Sequence, residues 1–280
     1  MKFKSISLLF PLLLLAGCSD GPTGDFNTFI LGLGNPSNVP AGQYAQKILA
    51  YYEVDEAKLA TSGHVTYGNN VGEVTSWVKQ GSVGAGVIYR SDATTYELKI
   101  VGRATKEMCG QVLYPAAMIN NNNSETVKKA TKSFLQYLTN KDAMDEFKKV
   151  GFVSAHDAMD IDEQVSESVT INVFAATSMT ASMNAVVEKY KTVAPNVTVA
   201  VNYAASGTLQ AQIENSVDSC DLFISAAQKQ MNALQEENLI VVDSRFDILE
   251  NEVCLCVPDK NPYNVNSFDD LVTVLKEILK

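Results

Sequence analysis

The hydrophobic positions of the chain follow two alternating periods. Short β-branched runs, typical of strands, lie at 29–33, 83–89, 98–101, 112–119, 169–175, 197–203, 222–225 and 253–257. Between them, apolar residues recur every three or four positions, and this spacing predicts helices at 40–51, 71–80, 124–139, 141–150, 179–191, 208–214, 228–237 and 268–279. Strand and helix patterns that alternate in this way indicate an α/β fold.

The first eighteen residues have the pattern of a secretory signal. Lys2 and Lys4 precede an apolar core of about ten residues, which is too short to span a membrane. The run Leu-Ala-Gly-Cys at 15–18 resembles the cleavage site of a bacterial lipoprotein signal, which implies that Cys18 becomes the acylated first residue of the mature protein. An uncleaved membrane anchor is the alternative, and in either case the body of the protein lies outside the cytoplasm.

Length and composition narrow the function classes. At ~150 residues per domain, 280 residues correspond to about two domains. The chain has 22 Lys and Arg against 32 Asp and Glu, a net charge of −10, and removing Lys2 and Lys4 with the signal leaves 20 against 32, or −12. This balance argues against a nucleic-acid partner.

The cysteines and histidines do not suggest a disulfide scaffold or a metal centre. The cysteines beyond the signal lack the dense spacing of a disulfide-rich domain, so we predict buried thiols at Cys109, Cys220, Cys254 and Cys256. His64 and His156 have no Cys or His at metal-ligand spacing, so neither a zinc site nor a histidine-based triad is expected.

At four places a predicted strand runs directly into a helix through small or hydroxyl residues. These turns lie at 34–42, 67–73, 174–180 and 203–208. The first turn of a helix leaves backbone N–H groups without intrahelical partners, and such ends bind anions. In an open α/β sheet these turns gather at the carboxyl edges of the strands, so several could face one crevice. For any single turn, a capped helix without a ligand explains the sequence equally well.

The motifs at these turns resemble those of the molybdate-binding proteins of ABC importers, which have the type II periplasmic-binding-protein fold. Residues 169–275 resemble the front half of that family, with Val-Phe-Ala-Ala-Thr-Ser at 173–178, Tyr-Ala-Ala-Ser-Gly-Thr at 203–208 and Asp-Leu-Phe-Ile-Ser-Ala at 221–226. Residues 30–152 resemble its back half, with Gly-Asn-Pro-Ser-Asn-Val-Pro-Ala-Gly at 34–42, Gly-Val-Ile-Tyr-Arg-Ser-Asp at 86–92, Tyr-Pro at 114–115 and Phe-Lys-Lys-Val-Gly-Phe at 147–152.

The two halves stand in reversed order, so the resemblance implies a circularly permuted two-lobed fold with a ligand cleft between the lobes. The expected lobe A combines 26–110 with 257–280. The expected lobe B is continuous over 111–256 and contains the linker 153–168 that joins the family's original ends. Residues 19–25 would form a tether behind the signal peptide 1–18.

The resemblance also implies a function and a binding site. The ligand would be molybdate or tungstate, held by the hydroxyls of Ser178, Ser206 and Tyr89 and by the backbone N–H groups of Ala41 and Val71. No residue would ligate a metal cation directly, because molybdenum is bound as its oxyanion. The expected protein is a monomeric, lipid-anchored receptor that serves an ABC permease at the extracytoplasmic face of the membrane, without catalysis or a cofactor.

Several alternatives remain open from the residues themselves. Ser178 and Ser206 could only cap helices, and Tyr89 could be a packed strand aromatic. The ligand could be sulfate, phosphate or a small organic anion, for which Arg90 is the nearest basic candidate, although strand alternation should turn it away from the face of Tyr89. The protein could also be a surface lipoprotein without a transport role. A serine hydrolase is disfavoured, because neither Ser178 nor Ser206 lies in a Gly-x-Ser-x-Gly motif or has a histidine close to it in the sequence.

Overall fold

The computed structural model describes residues 21–162 and 165–280. The predicted signal peptide 1–18 with its Cys18 lies outside the described residues, as do residues 19 and 20 of the predicted tether and residues 163 and 164 of the predicted linker. Among the described helices, none is long and apolar enough to cross a membrane.

The described chain alternates strands and helices. The strands are β1 (Leu31–Gly34), β2 (Val65–Gly68), β3 (Ala85–Tyr89), β4 (Lys99–Arg103), β5 (Val112–Met118), β6 (Val153–Ser154), β7 (Val169–Ala176), β8 (Val197–Ala204), β9 (Leu222–Ile224), β10 (Phe246–Asn251) and β11 (Val253–Val257). The helices are α1 (Pro40–Tyr51), α2 (Glu56–Thr61), α3 (Val71–Gln80), α4 (Arg90–Thr95), α5 (Lys106–Cys109), α6 (Glu125–Tyr137), α7 (Lys141–Lys149), α8 (Thr180–Val193), α9 (Ser206–Asn215), α10 (Gln228–Glu236) and α11 (Phe268–Ile278). The predicted α/β class is confirmed, and every predicted strand and helix overlaps an observed one of the same kind.

Two mixed sheets divide the structure into two lobes. The first sheet has the order β2-β1-β3-β11-β4, and the second has the order β6-β10-β5-β9-β7-β8. In each sheet the first three strands of the lobe are parallel, with β1 between β2 and β3 and β7 between β8 and β9. The central strands β1, β3 and β11 are buried along their whole length, as expected for strands covered by helices on both faces.

Each half of the chain builds most of one sheet and inserts one strand between two strands of the other. The first half forms β1 to β4 and then crosses over to insert β5 antiparallel between β9 and β10. The second half forms β7 to β10 and crosses back to insert β11 antiparallel between β3 and β4. Apart from the edge strand β6, both sheets therefore have the same strand order. The second strand formed by a half of the chain is followed by its first and third strands, then by the strand inserted from the other half, and then by its fourth strand.

The second crossover occurs earlier in the chain than the sequence indicates. The expected boundary placed 253–256 in lobe B, whereas β11 pairs with β3 and β4 and so belongs to the first sheet. The run Val-Cys-Leu-Cys-Val is apolar throughout, so either buried sheet could accommodate it, and its composition does not indicate which sheet it joins. The crossing residue is Glu252, between β10 and β11.

Aromatic rings connect the two lobes behind the crossover strands. Tyr89 of β3 packs edge-to-face against Tyr44 of α1 at 6.3 Å and against Tyr114 of β5 at 5.8 Å, and Tyr114 packs against Phe152 at 5.2 Å. Because Tyr89 and Tyr114 belong to different sheets, this cluster is continuous from one lobe to the other. Cys109, Cys220, Cys254 and Cys256 are buried free thiols.

Candidate functional site

The four turns singled out in the sequence converge between the lobes. The turns from β1 to α1 and from β2 to α3 come from the first lobe. The other two turns come from the second lobe. One connects β7 to α8 through the short 3-10 turn Thr177–Met179, and the other connects β8 to α9. All four follow the carboxyl ends of parallel strands, which is where ligands bind in open α/β sheets.

A small cavity lies where these turns meet. Its lining includes four of the five predicted site residues, namely Val71, Tyr89, Ser178 and Ser206. Ala41 is fully buried one residue behind Pro40, which is itself part of the lining. Every described residue that lines the cavity is uncharged, so an anion placed here would meet hydrogen-bond donors and helix ends.

The two backbone donors belong to the first turns of helices. Pro40 is the first residue of α1 and has no N–H, so the amide of Ala41 is the first one that this helix offers. Val71 is the first residue of α3, whose start is fixed by a 3.1 Å hydrogen bond from the Glu73 amide to the Asn70 side chain. Amides in this position have no intrahelical acceptor and carry the positive end of the helix dipole.

Ser206 is oriented by a backbone amide. It is the first residue of α9, two residues earlier than predicted, and it is fully buried. The N–H of Ala226 donates a 3.0 Å hydrogen bond to its Oγ. A hydroxyl has a single proton, and with its oxygen already accepting from behind, that proton remains available for the cavity. The N-cap of α9 is Ala205, so Ser206 does not occupy the capping position of this helix.

The Ser178 hydroxyl has a side-chain hydrogen-bond partner, whereas the partner of Ser206 is a backbone amide. It lies in the 3-10 turn before α8, is nearly buried, and its Oγ is 2.8 Å from the Tyr114 hydroxyl. No side-chain cap bond is made at this turn or at the start of α8. In the sequence, Tyr114 belongs to the Tyr-Pro motif of the family resemblance, from which no role for its hydroxyl follows.

Tyr89 carries the third hydroxyl. Its ring is buried in the aromatic cluster, but within the described part of the chain its hydroxyl has only a 3.5 Å hydrogen bond to the carbonyl oxygen of Ala226. Burial raises the pKa of Tyr89 well above its usual range, so the phenol keeps its proton. A protonated hydroxyl with one long hydrogen bond is free to donate to a closer acceptor. Tyr89 is therefore both a packed aromatic and a donor at the cavity.

A buried carboxyl lies behind this site. Asp92, in the first turn of α4, is 5% exposed, and burial raises its pKa to about 7, while a hydrogen bond from Ser91 acts in the opposite direction. Its charge contributes to the raised pKa values of Tyr89 and Tyr114. No sequence pattern indicates this burial, because α4 is not among the predicted helices.

The basic residue nearest to Tyr89 does not line the cavity. Arg90 begins α4 instead of continuing the strand, and its guanidinium lies 3.4 Å from the Glu252 carboxylate at the crossover. Glu252 also pairs with Arg103 at 2.6 Å. The expectation that Arg90 turns away from the site is confirmed, but the cause is the start of a helix and an ion pair, not strand alternation.

Both histidines of the described chain are hydrogen-bonded to backbone carbonyl oxygens. His64 is hydrogen-bonded to the Phe29 carbonyl oxygen and His156 to that of Asp157, and neither serine has a histidine among its described hydrogen-bond partners. Within 21–162 and 165–280, no three His, Cys, Asp or Glu side chains are arranged to hold a metal ion.

The sequence profile of the bacterial extracellular solute-binding protein family matches residues 23–153 and 171–276. The chain belongs to this family. The two matched blocks leave out 154–170, which is close to the predicted linker at 153–168.

Curated relatives match parts of the chain. The putative ABC transporter substrate-binding lipoprotein YvgL of Bacillus subtilis (strain 168) is 31% identical over 141 residues, which are 48% of this chain and 52% of that protein. The molybdate-binding protein ModA of Haemophilus influenzae is 35% identical over 102 residues, 36% of this chain and 39% of that protein. The chain thus spans about half the length of these relatives or less.

The fold also has a counterpart among solved structures. The phosphate-binding protein of a phosphate ABC transporter from Streptococcus pneumoniae superimposes with a TM-score of 0.52, covering 89% of this chain and 96% of that chain at 13% identity. At this identity the likeness concerns the fold alone. With the family membership, it confirms the predicted two-lobed type II fold of this solute-binding protein.

Proposed function

We propose that this solute-binding protein binds molybdate or tungstate in the interlobe cavity and delivers it to the permease of an ABC transporter. The observation that carries the proposal is the convergence of uncharged donors from both lobes on one small cavity. The Ser206 hydroxyl accepts from the Ala226 amide, which leaves its proton for the cavity, and the Ser178 hydroxyl lies 2.8 Å from the Tyr114 hydroxyl.

The chemistry of this donor set suits a fully ionised oxyanion. A dianion offers only acceptors, and hydrogen bonds to a charged acceptor contribute roughly 1.5–3 kcal/mol each. The N-termini of α1 and α3 add their dipoles. Capture must come from these short contacts, because a protein of net charge −10 does not attract anions from a distance and screening confines its repulsion to about 8 Å at physiological salt.

Sequence relatives support the choice of ligand and partner. ModA of Haemophilus influenzae is a molybdate-binding protein, and YvgL is described as an ABC transporter substrate-binding lipoprotein. We extend both properties to this chain as part of the proposal. It would act as a monomer at the extracytoplasmic face of the membrane, attached through a lipid on Cys18.

A thermal-shift series with molybdate, tungstate, sulfate, phosphate and citrate tests the ligand. Molybdate or tungstate at 100 times its dissociation constant should add about 2.7 kcal/mol to the free energy of unfolding. A shift with sulfate, phosphate or citrate but not with molybdate would contradict the proposed ligand and favour a receptor for another anion. A protein that responds to none of the five would instead fit a surface lipoprotein without a transport role.

We also propose that the two halves are circularly permuted relative to the molybdate-binding proteins. The shared strand order of the two sheets makes the exchange topologically simple. The first described segment also packs against the last helix and the loop before it, because the Thr23 amide donates to the Tyr263 carbonyl oxygen at 2.9 Å and residues Phe26–Thr28 contact α11. Ends that lie close together at the surface are compatible with permutation.

Reversing the exchange tests this arrangement. In a variant gene, the chain would start at residue 169, run through 280, continue through a short Gly-Ser linker into residue 26 and end at 154. We expect it to fold cooperatively and to bind the same anion with unchanged affinity. Failure to fold, with the linker length varied, would contradict the proposed relationship between the halves.

A further inference from the structure

We propose that Tyr114 and Asn251 are positioning residues that fix the Ser178 hydroxyl as a donor to the bound oxyanion. This inference rests on the proposed function, since it concerns the same cavity. The three side chains form a buried hydrogen-bond relay from the interlobe crossover to the cavity, and the direction of each hydrogen bond follows from the contacts at its inner end.

The orientation of the Asn251 amide is fixed by the backbone. The N–H of Glu252 donates a 2.8 Å hydrogen bond to Asn251 Oδ1, which identifies that atom as the acceptor of the side chain. The amide nitrogen therefore faces the other way, where it lies 3.0 Å from Ser91 Oγ and 3.2 Å from the Tyr114 hydroxyl. Both amide protons are used, one on each hydroxyl.

Tyr114 is the middle residue of the relay, between Asn251 and Ser178. Its ring is fully buried between Tyr89 and Phe152, and burial raises its pKa well above its usual range, so the hydroxyl keeps its proton. Because its oxygen accepts from Asn251, its own proton points elsewhere, and the Oγ of Ser178 lies 2.8 Å away. The relay thus runs from Asn251 through Tyr114 to Ser178.

Ser178 is left with one proton and an oxygen that already accepts. A serine hydroxyl without a fixed partner can rotate and use its proton on a backbone carbonyl, which would present lone pairs to an anion. The Tyr114 hydrogen bond disfavours that state. Ser206 obtains the same result from the Ala226 amide, so both serines are held with their protons toward the cavity, one by backbone and one by the relay.

The inner end of the relay lies at the joint between the lobes. Asn251 is the last residue of β10, and Glu252 connects it directly to β11 in the other sheet. The second partner of the Asn251 amide, Ser91, belongs to the first lobe, whereas Tyr114 belongs to the second. The orientation of Ser178 consequently depends on groups from both lobes.

A double-mutant cycle with molybdate titrations tests the relay. Tyr114→Phe keeps the ring and removes the hydroxyl, and we expect about tenfold weaker binding. In the Ser178→Ala background the same change should have no further effect on the dissociation constant, because Tyr114 acts only through Ser178. Asn251→Leu, which keeps the volume but donates no hydrogen bond, should weaken binding in the same direction and show the same dependence on Ser178.

Tyr190→Phe is the matched control. Tyr190 is also fully buried, and its hydroxyl is 3.0 Å from Ser133 Oγ, away from the cavity. Its loss should affect the melting temperature and leave the dissociation constant unchanged. Unaltered binding by Tyr114→Phe, or additive effects of Tyr114→Phe and Ser178→Ala, would overturn the relay even if the wild type binds molybdate.

A failure of the proposed function can be distinguished from a failure of the relay. If the wild type binds sulfate or phosphate and not molybdate, the ligand assignment is wrong, and the same cycle run with the bound anion still decides the relay. Absence of binding to every oxyanion would overturn both.

Discussion

The backbone N–H of Gly207, in the second lobe, donates a 2.9 Å hydrogen bond to the carbonyl oxygen of Asn38 in the first lobe. A Cβ at Gly207 would lie 2.7 Å from both the Cα and the carbonyl oxygen of Asn38, closer than such atoms approach in proteins. Two of the turns that frame the cavity therefore meet backbone to backbone. The absence of a side chain on Gly207 permits the closed arrangement of the lobes.

Gly207→Ala should weaken anion binding by preventing full closure. The added methyl must push Asn38 away, and the donors of the first lobe would then lie too far from an anion held by Ser206. We expect at least a tenfold rise in the dissociation constant by calorimetry and a smaller ligand-induced compaction by small-angle X-ray scattering. Gly21→Ala is the control, since a Cβ at that position meets nothing within 4 Å.

Ser206→Ala and Ser178→Ala should each lower the affinity without unfolding the protein. Each change removes one hydrogen bond to a charged acceptor, about 1.5–3 kcal/mol, which corresponds to a roughly 10- to 150-fold weaker dissociation constant. Ser182→Ala is a suitable control, because that buried hydroxyl on α8 donates to the carbonyl oxygen of Met179. Unchanged affinity in either variant would remove that serine from the proposed site.

Tyr89→Phe should separate binding from stability. The hydroxyl makes only a 3.5 Å hydrogen bond to Ala226, whereas the ring makes the aromatic contacts, so its loss should change the melting temperature little. Affinity for the anion should fall by about tenfold. A large loss of stability with intact affinity would show that Tyr89 serves only the core.

Asp92 should make stability depend on pH. Its pKa rises from an ordinary 3.8 to about 7 in the folded protein, so the native state holds a proton that the unfolded chain releases. The stability linked to this proton is fully present below about pH 4 and is lost as the pH rises through about 7. Asp92→Asn should therefore be more stable than the wild type near pH 8 and equal to it near pH 4 in urea titrations. A difference that is the same at both pH values would contradict the assignment.

The sequence predicts those elements whose local signals agree with the fold. Helix α6, for example, has a serine cap at 124 and a regular apolar period, and it was predicted at 124–139 and observed at Glu125–Tyr137. Strand β10 was missed because Asp247, Glu250 and Asn251 interrupt its apolar run. These polar residues are stabilised by tertiary contacts, such as that of Asn251 with Tyr114, which no local pattern encodes.

The candidate site was predictable only in part for the same reason. The strand-to-helix turns have a sequence signature, and the family resemblance supplied Ser178, Ser206 and Tyr89. The partners that orient them come from distant segments, since Tyr114 is 64 residues from Ser178 and Asn251 is 137 residues from Tyr114. Likewise, the contact of Gly207 with Asn38 depends on how the lobes close, and neither residue alone indicates it.

The most direct measurement is a crystal structure of the protein grown with molybdate, with diffraction data collected at the molybdenum absorption edge. The account predicts one anomalous peak in the interlobe cavity, with the oxyanion within hydrogen-bond distance of the hydroxyls of Ser178, Ser206 and Tyr89 and the amides of Ala41 and Val71. A peak elsewhere on the protein, or a different anion in the cavity and no molybdenum, would contradict it.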